Sequence, residues 1–197
     1  MDFLFKDRDG QTPLPRELQK GLKIKTIQTI GELDEYEEDN IAKGLVWLSK
    51  QKSDPCKYDF WIETHKKMFG NVWSWAGDIR QHELLNPDFT DPEKIWPELF
   101  KLERDLNSWI SMNSFSKDEI ATRFHERIET IHPFANGNGR LGRIATEQIC
   151  RFLNSSPPTW GSSLKQHPKK RRDAYIDALV MARRERVFKN LLAFLFS

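Results

Sequence analysis

The chain has 197 residues, 38% hydrophobic and 30% charged, with a formal net charge of +2. That length gives one domain a sizeable core, and the near-neutral balance excludes a polyanion-binding role founded on overall charge. No apolar run is long enough to cross a bilayer, the charged start Met1-Asp2-Phe3-Leu4-Phe5-Lys6-Asp7 is not a signal peptide, and Cys56 and Cys150 form neither a metal pattern nor a disulfide framework, so a reducing cytoplasm is expected.

Residues 1–25 are rich in charge and turn formers and read as an N-terminal arm with a short helix. Leu33, Tyr36, Ile41, Leu45 and Leu48 form a helical stripe over residues 32–50. Asp54 and Pro55 read as an N-cap and first helical residue and Gly70 as a stop, with Tyr58, Ile62, His65 and Phe69 at helical spacing between them. Residues 76–91 lose that period. Asn86-Pro87-Asp88 marks a turn there, and a small β-hairpin flap is predicted. Ile95, Leu99, Leu102, Leu106 and Trp109 resume a helix with Pro97 in its first turn. Ser116 and Glu119 fit a capping box, followed by a buried face of Ile120, Phe124, Ile128 and Ile131. Helices are predicted over residues 141–153, 168–184 and 187–196, the second of them basic and amphipathic. Trp73, Trp75, Trp96 and Trp109 are expected in the core. The apolar end, Leu191, Leu192, Phe194, Leu195 and Phe196, suits either core or a dimer surface, so the oligomeric state stays open.

The most informative run is His132-Pro133-Phe134-Ala135-Asn136-Gly137-Asn138-Gly139-Arg140, with Arg143 three residues on. It sets one proton acceptor, two glycines and two arginines beside a helix start. Glycines let backbone N–H groups turn inward, a helix N-terminus adds unpaired N–H groups, and arginines grip phosphate with a fork of donors. The pattern describes a polyphosphate cradle with a base at its edge. His125 is expected to be a satisfied core or supporting group, and His82 to line the flap. Lys169-Lys170-Arg171-Arg172 reads as a solvated helix face, so nucleic acid is not the expected partner.

Residues 132–143 closely resemble the HxFx(D/E)GNGRxxR motif of Fic (filamentation induced by cAMP) proteins. Trp75-Ala76-Gly77-Asp78-Ile79-Arg80 resembles the segment leading into the Fic flap, and Phe124-His125, Trp160-Gly161 and residues 175–179 follow in order. The resemblance is strongest to the bacterial group called mobile mystery protein B. It implies an all-α, Fic-like helical bundle over residues 26–197 in a bacterial cytoplasm. It further implies a protein adenylyltransferase that moves AMP from ATP, with Mg²⁺, to a Ser, Thr or Tyr hydroxyl of a target protein. In that reading His132 is the general base, and Gly137, Asn138 and Gly139 form the anion hole. Arg140 and Arg143 hold phosphates, Phe134 anchors the loop, and Arg80, Gln81, His82, Glu83 and Leu84 form a flap that docks the target by strand addition.

One position departs from the motif. Asn136 replaces a metal-binding carboxylate, and is assigned as a Mg²⁺ ligand through a neutral oxygen. The family's inhibitory helix pattern is absent from the predicted terminal helices, so an antitoxin-like inhibitor on a separate chain, and a toxin-like role on a mobile element, are expected. Two rivals stand beside AMP transfer: a Doc-like protein kinase, and a non-catalytic nucleotide- or DNA-binding regulatory module.

Overall fold

The computed structural model describes residues 16–196. Most of the arm expected over residues 1–25 therefore lies outside the described residues. Seven helices carry the structure: α1 (Ile30–Leu48), α2 (Tyr58–Phe69), α3 (Ile95–Ser111), α4 (Lys117–Ile131), α5 (Asn138–Phe152), α6 (Pro168–Arg184) and α7 (Lys189–Phe196). A helical turn at Arg16–Gln19 and 3-10 turns at Pro92–Lys94 and Ser162–Leu164 accompany them. No sheet forms among the described residues; two isolated antiparallel bridges join Leu22 with Trp73 and Ile79 with Phe134. The fold is all-α, as expected.

The described residues divide into two compact units. The first takes the residues up to Ile95 together with His132–Leu141. Within it, Thr29 starts α1 through a capping box: its hydroxyl accepts from Glu32 N–H, and Glu32 accepts from Thr29 N–H. α1 packs on α2, and Gly44 permits this approach, because a Cβ there would lie 3.1 Å from the Met68 Cα. Asn40 joins the two helices, donating to Lys67 C=O at 3.0 Å and accepting from Asn71 N–H at 2.8 Å. These bonds satisfy backbone groups at the end of α2.

Two expectations are corrected in this unit. Asp54 is not the N-cap of α2. Its carboxylate accepts from Cys56 N–H at 2.8 Å, which makes a turn and delays the helix to Tyr58. The flap does not form a hairpin. The Asn86-Pro87-Asp88 turn is present, with Phe89 N–H donating to Asn86 C=O, but Ile79 bridges Phe134 instead of a strand within the flap. The carbonyls of His82 and Thr90 accept from the Arg80 guanidinium, which leaves them unavailable to a ladder.

The second unit takes Trp96–Ile131 and the described residues from Gly142 on. α4 is capped by Ser116, whose hydroxyl accepts from Glu119 N–H at 3.2 Å, while the Glu119 carboxylate pairs forward with Arg123 at 2.7 Å. Ile120, Phe124, Ile128 and Ile131 are buried as predicted. Trp96 is corrected: it is 43% exposed and sits by Phe100, another exposed ring of the same helix face. The apolar C-terminus resolves as core, because Leu191 and Leu195 pack with Ala178, Leu179, Ala182 and Phe188. Arg171 of the basic run donates to Trp160 C=O at 2.7 Å. His125 is a satisfied core group, bonded to Thr146 Oγ1 at 3.0 Å and Tyr175 OH at 2.8 Å.

Candidate active site

α4 stops at Ile131 because a proline follows His132, and the residue before proline is barred from continuing a right-handed helix. His132 turns left-handed, with φ +47°. Such a conformation costs a non-glycine residue about 1–2 kcal/mol and persists only when its surroundings enforce it. Arg80 does so from the flap: its Nε donates to His132 C=O at 2.7 Å. Phe89 does so from the other end of the flap, stacking on the imidazole with centroids 3.9 Å apart. His132 is consequently buried, 7% exposed.

The loop after it is tied from below. Phe134 is fully buried and stacks on His65 with centroids 3.8 Å apart. Asn138 clips the loop closed, accepting from Phe134 N–H at 2.8 Å and donating to Phe134 C=O at 2.7 Å. Gly137 has φ +80°, and a Cβ there would lie 2.7 Å from Phe69 and 3.1 Å from His65 Nε2. Gly137→Ala is therefore expected to destabilise the protein by about 1–3 kcal/mol, read as a lowered denaturation midpoint; an unchanged midpoint would contradict the close floor.

The first backbone bond of α5 runs from Leu141 N–H to Gly137 C=O. The amides of Asn138, Gly139 and Arg140 precede it and have no carbonyl four residues back within the helix. Together with the helix dipole they make an anion-binding end. Arg140 stands on the same turn. Its guanidinium donates to Glu37 Oε2 at 2.6 Å and lies 4.5 Å from the Phe69 ring. Glu37 also accepts from Trp73 Nε1 at 2.7 Å. One edge of the Arg140 fork is thus fixed, which orients the rest.

Comparison with known proteins agrees with this loop. Residues 55–150 match the Fic/DOC family. Those residues form a Fic/DOC domain. Protein adenylyltransferase VbhT of Bartonella schoenbuchensis is 30% identical over 100 residues, covering 47% of this chain and 20% of that protein. Protein adenylyltransferase Fic of Nematostella vectensis is 31% identical over 107 residues, covering 50% of this chain and 24% of that protein. The chain thus spans a quarter or less of the length of these curated relatives. The crystal structure of BepC from Bartonella tribocorum with bound AMPPNP shares the fold, with a TM-score of 0.65 at 19% identity, covering 92% of this chain and 96% of that one.

The Fic/DOC domain uses several predicted residues differently from expectation. Of the three amides assigned to the anion hole, that of Gly137 donates to Asn136 Oδ1 at 2.6 Å, so the amides left to face an anion begin with that of Asn138, the first residue of α5. The Asn138 side chain clips the loop, which leaves its backbone amide for the expected role. Arg80 is 3% exposed and its guanidinium is occupied by backbone carbonyls, so it anchors the flap from inside. Gln81 and Glu83 are exposed, and His82 and Leu84 half-buried. Burial, and then the Arg80 charge, hold the His82 imidazole below the usual histidine range. Arg143 is exposed on α5, and its charge acts within its own unit on Glu129 and His125.

The donor set does not fit a metal held by the protein. Asn136 offers one neutral oxygen, already accepting from Gly137 N–H, and no group of three His, Cys, Asp or Glu side chains suited to a metal exists among the described residues. A hard cation such as Mg²⁺ ordinarily needs one or two carboxylates besides phosphate oxygens.

Nothing in the sequence motif marks Glu37, His65 or Phe69 as site residues. His65 carried the one available signal: a polar ring in an apolar helical stripe must find buried partners.

Proposed function

We propose that the chain is a protein adenylyltransferase, moving AMP from ATP to a Ser, Thr or Tyr hydroxyl of another protein. The observation that carries this reading is one loop that joins His132, its imidazole stacked on Phe89, to a helix start whose first amides have no intrahelical partner and to an Arg140 held by Glu37. The two curated relatives, from Bartonella schoenbuchensis and Nematostella vectensis, are protein adenylyltransferases, which supports the reading.

The chemistry follows from these groups. The amides of Asn138, Gly139 and Arg140 receive phosphate oxygens of ATP, and the Arg140 fork holds the chain beyond them. His132 takes the proton of the target hydroxyl. Its oxygen forms a bond to the α-phosphorus, the bond from that phosphorus to the bridging oxygen breaks, and pyrophosphate leaves. Catalysis rests on positioning and on fixed charge. Mg²⁺ would arrive with ATP as its counter-ion, and no protein-held cation takes part. The target's backbone would lie along the exposed flap positions Gln81 and Glu83.

ATP labelled at the α or the γ phosphate decides the matter. α-Label on protein is the expected result. γ-Label would make the domain a kinase. No label with bound ATP would make it a nucleotide-sensing module, the reading that the neutral Asn136 favours. Arg140→Ala is expected to weaken ATP binding roughly tenfold or more by calorimetry, the size of a charge-assisted hydrogen bond; unchanged affinity would remove Arg140 from the site.

A further inference from the structure

We infer that His65 is a positioning residue that sets the loop through one fixed tautomer, its Nε2–H holding the carbonyl of Asn136 so that the following amides face a ligand. The inference rests on the proposed adenylyltransferase reading for its ATP readout, and on geometry alone for the rest.

The tautomer follows from the partners. Gly77 N–H points at His65 Nδ1 at 3.0 Å. A backbone amide can only donate, so Nδ1 carries the lone pair. The neutral ring then has its proton on Nε2, which faces Asn136 C=O at 2.9 Å, an atom that can only accept. Both ring nitrogens are satisfied in one protonation state and in no other. The site supports that state: the ring is fully buried, stacked on Phe134 and tilted against Phe69 at 4.8 Å. Burial pulls its basicity down to about 3, and the nearby Arg140 charge adds to this.

The consequence lies one residue on. Holding the Asn136 carbonyl fixes the peptide plane between Asn136 and Gly137. That plane sets the left-handed turn at Gly137, whose absent Cβ leaves room for the same imidazole. The turn then aims the start of α5. His65 touches no reacting atom. It ties the Trp75-Ala76-Gly77 turn to the loop and fixes the direction of the loop's amides.

Two substitutions separate the two bonds. His65→Gln places an amide N–H where Nε2 was and keeps the bond to Asn136, losing the acceptor for Gly77. His65→Asn places an acceptor near Nδ1 and loses the bond to Asn136. Both are expected to lower thermal stability to a similar extent. Only His65→Asn is expected to weaken ATP binding, by about tenfold, and to speed hydrogen exchange of the Gly137, Asn138 and Gly139 amides; His65→Gln stays within about threefold of the parent. Nitrogen NMR of the parent chain is expected to show His65 protonated on Nε2 alone across pH 5–8. Equal effects of the two variants on amide exchange and ATP binding, or a proton on Nδ1, would overturn the inference. A parent chain that binds no ATP would sink the proposed function alone, and the ring-nitrogen and exchange readouts would still decide the role of His65.

Discussion

His132→Asn is expected to lower AMP transfer by about 10²–10⁴-fold, the usual contribution of a positioned general base, while ATP affinity stays within about threefold. The structure makes this a clean deletion. Arg80 holds the carbonyl of His132 and not its ring, so the loop keeps that tie in the variant. Asn also tolerates the left-handed φ of +47° better than alanine. The side chain lost is the one that Phe89 stacks on, so some flap mobility is expected without loss of the α5 amide cradle. His132→Ala should lose transfer to the same degree and add a small loss of stability from the strained backbone. The measurement is incorporation of α-labelled phosphate into protein. Full transfer by either variant would remove His132 from its role as base and shift the reading towards positioning by the phosphate cradle alone.

The helices and the loop differ in how far they can be read from sequence, and the difference is one of range. α6 is legible at both ends, because Pro168 belongs at a first helical turn and the apolar residues recur at helical spacing up to Arg184. The Asp54-Pro55 pair misleads for a local reason: an Asp side chain bonding an N–H two residues on makes an isolated turn with the same residues that would open a helix. The flap misleads for a longer-range reason. Its turn is real, but Arg80 bonds Thr90 C=O ten residues away, and no period in the sequence marks a guanidinium that replaces a strand. Within the site, the motif residues are contiguous and so announce themselves. Their supports do not. Glu37 reaches Arg140 across 103 residues and His65 reaches Asn136 across 71, each from a helix whose own pattern reads as ordinary packing. Sequence therefore marks the contiguous loop, and the structure adds the distant residues that hold it.

Stability is expected to fall as pH rises from 4.5 to about 7, and Glu129→Gln is expected to abolish that fall. Glu129 sits on the buried face of α4, pressed against α5 where Gly142 leaves room: a Cβ on Gly142 would lie 2.2 Å from its Oε1. Burial raises its carboxyl to about 7, against the opposing pull of Arg143 and Arg183. The groups around it are constrained too. Burial, and then the Arg143 charge, lower His125 to about 3, so it is neutral in this window, and Tyr175 is raised well above its ordinary range. The unfolded chain releases the Glu129 proton near 4.5, while the folded chain keeps it up to about 7. The folded state thus binds more protons across that interval, and its stability declines with pH there, by roughly 3 kcal/mol in all at the conversion of about 1.4 kcal/mol per pKa unit. Below 4.5 both states are protonated and the contribution is absent; above 7 it is complete. Gln keeps the shape and cannot ionise, so urea midpoints of the variant should stay flat between pH 4.5 and 8 while those of the parent fall. Parallel curves would show that Glu129 ionises as easily inside the fold as outside.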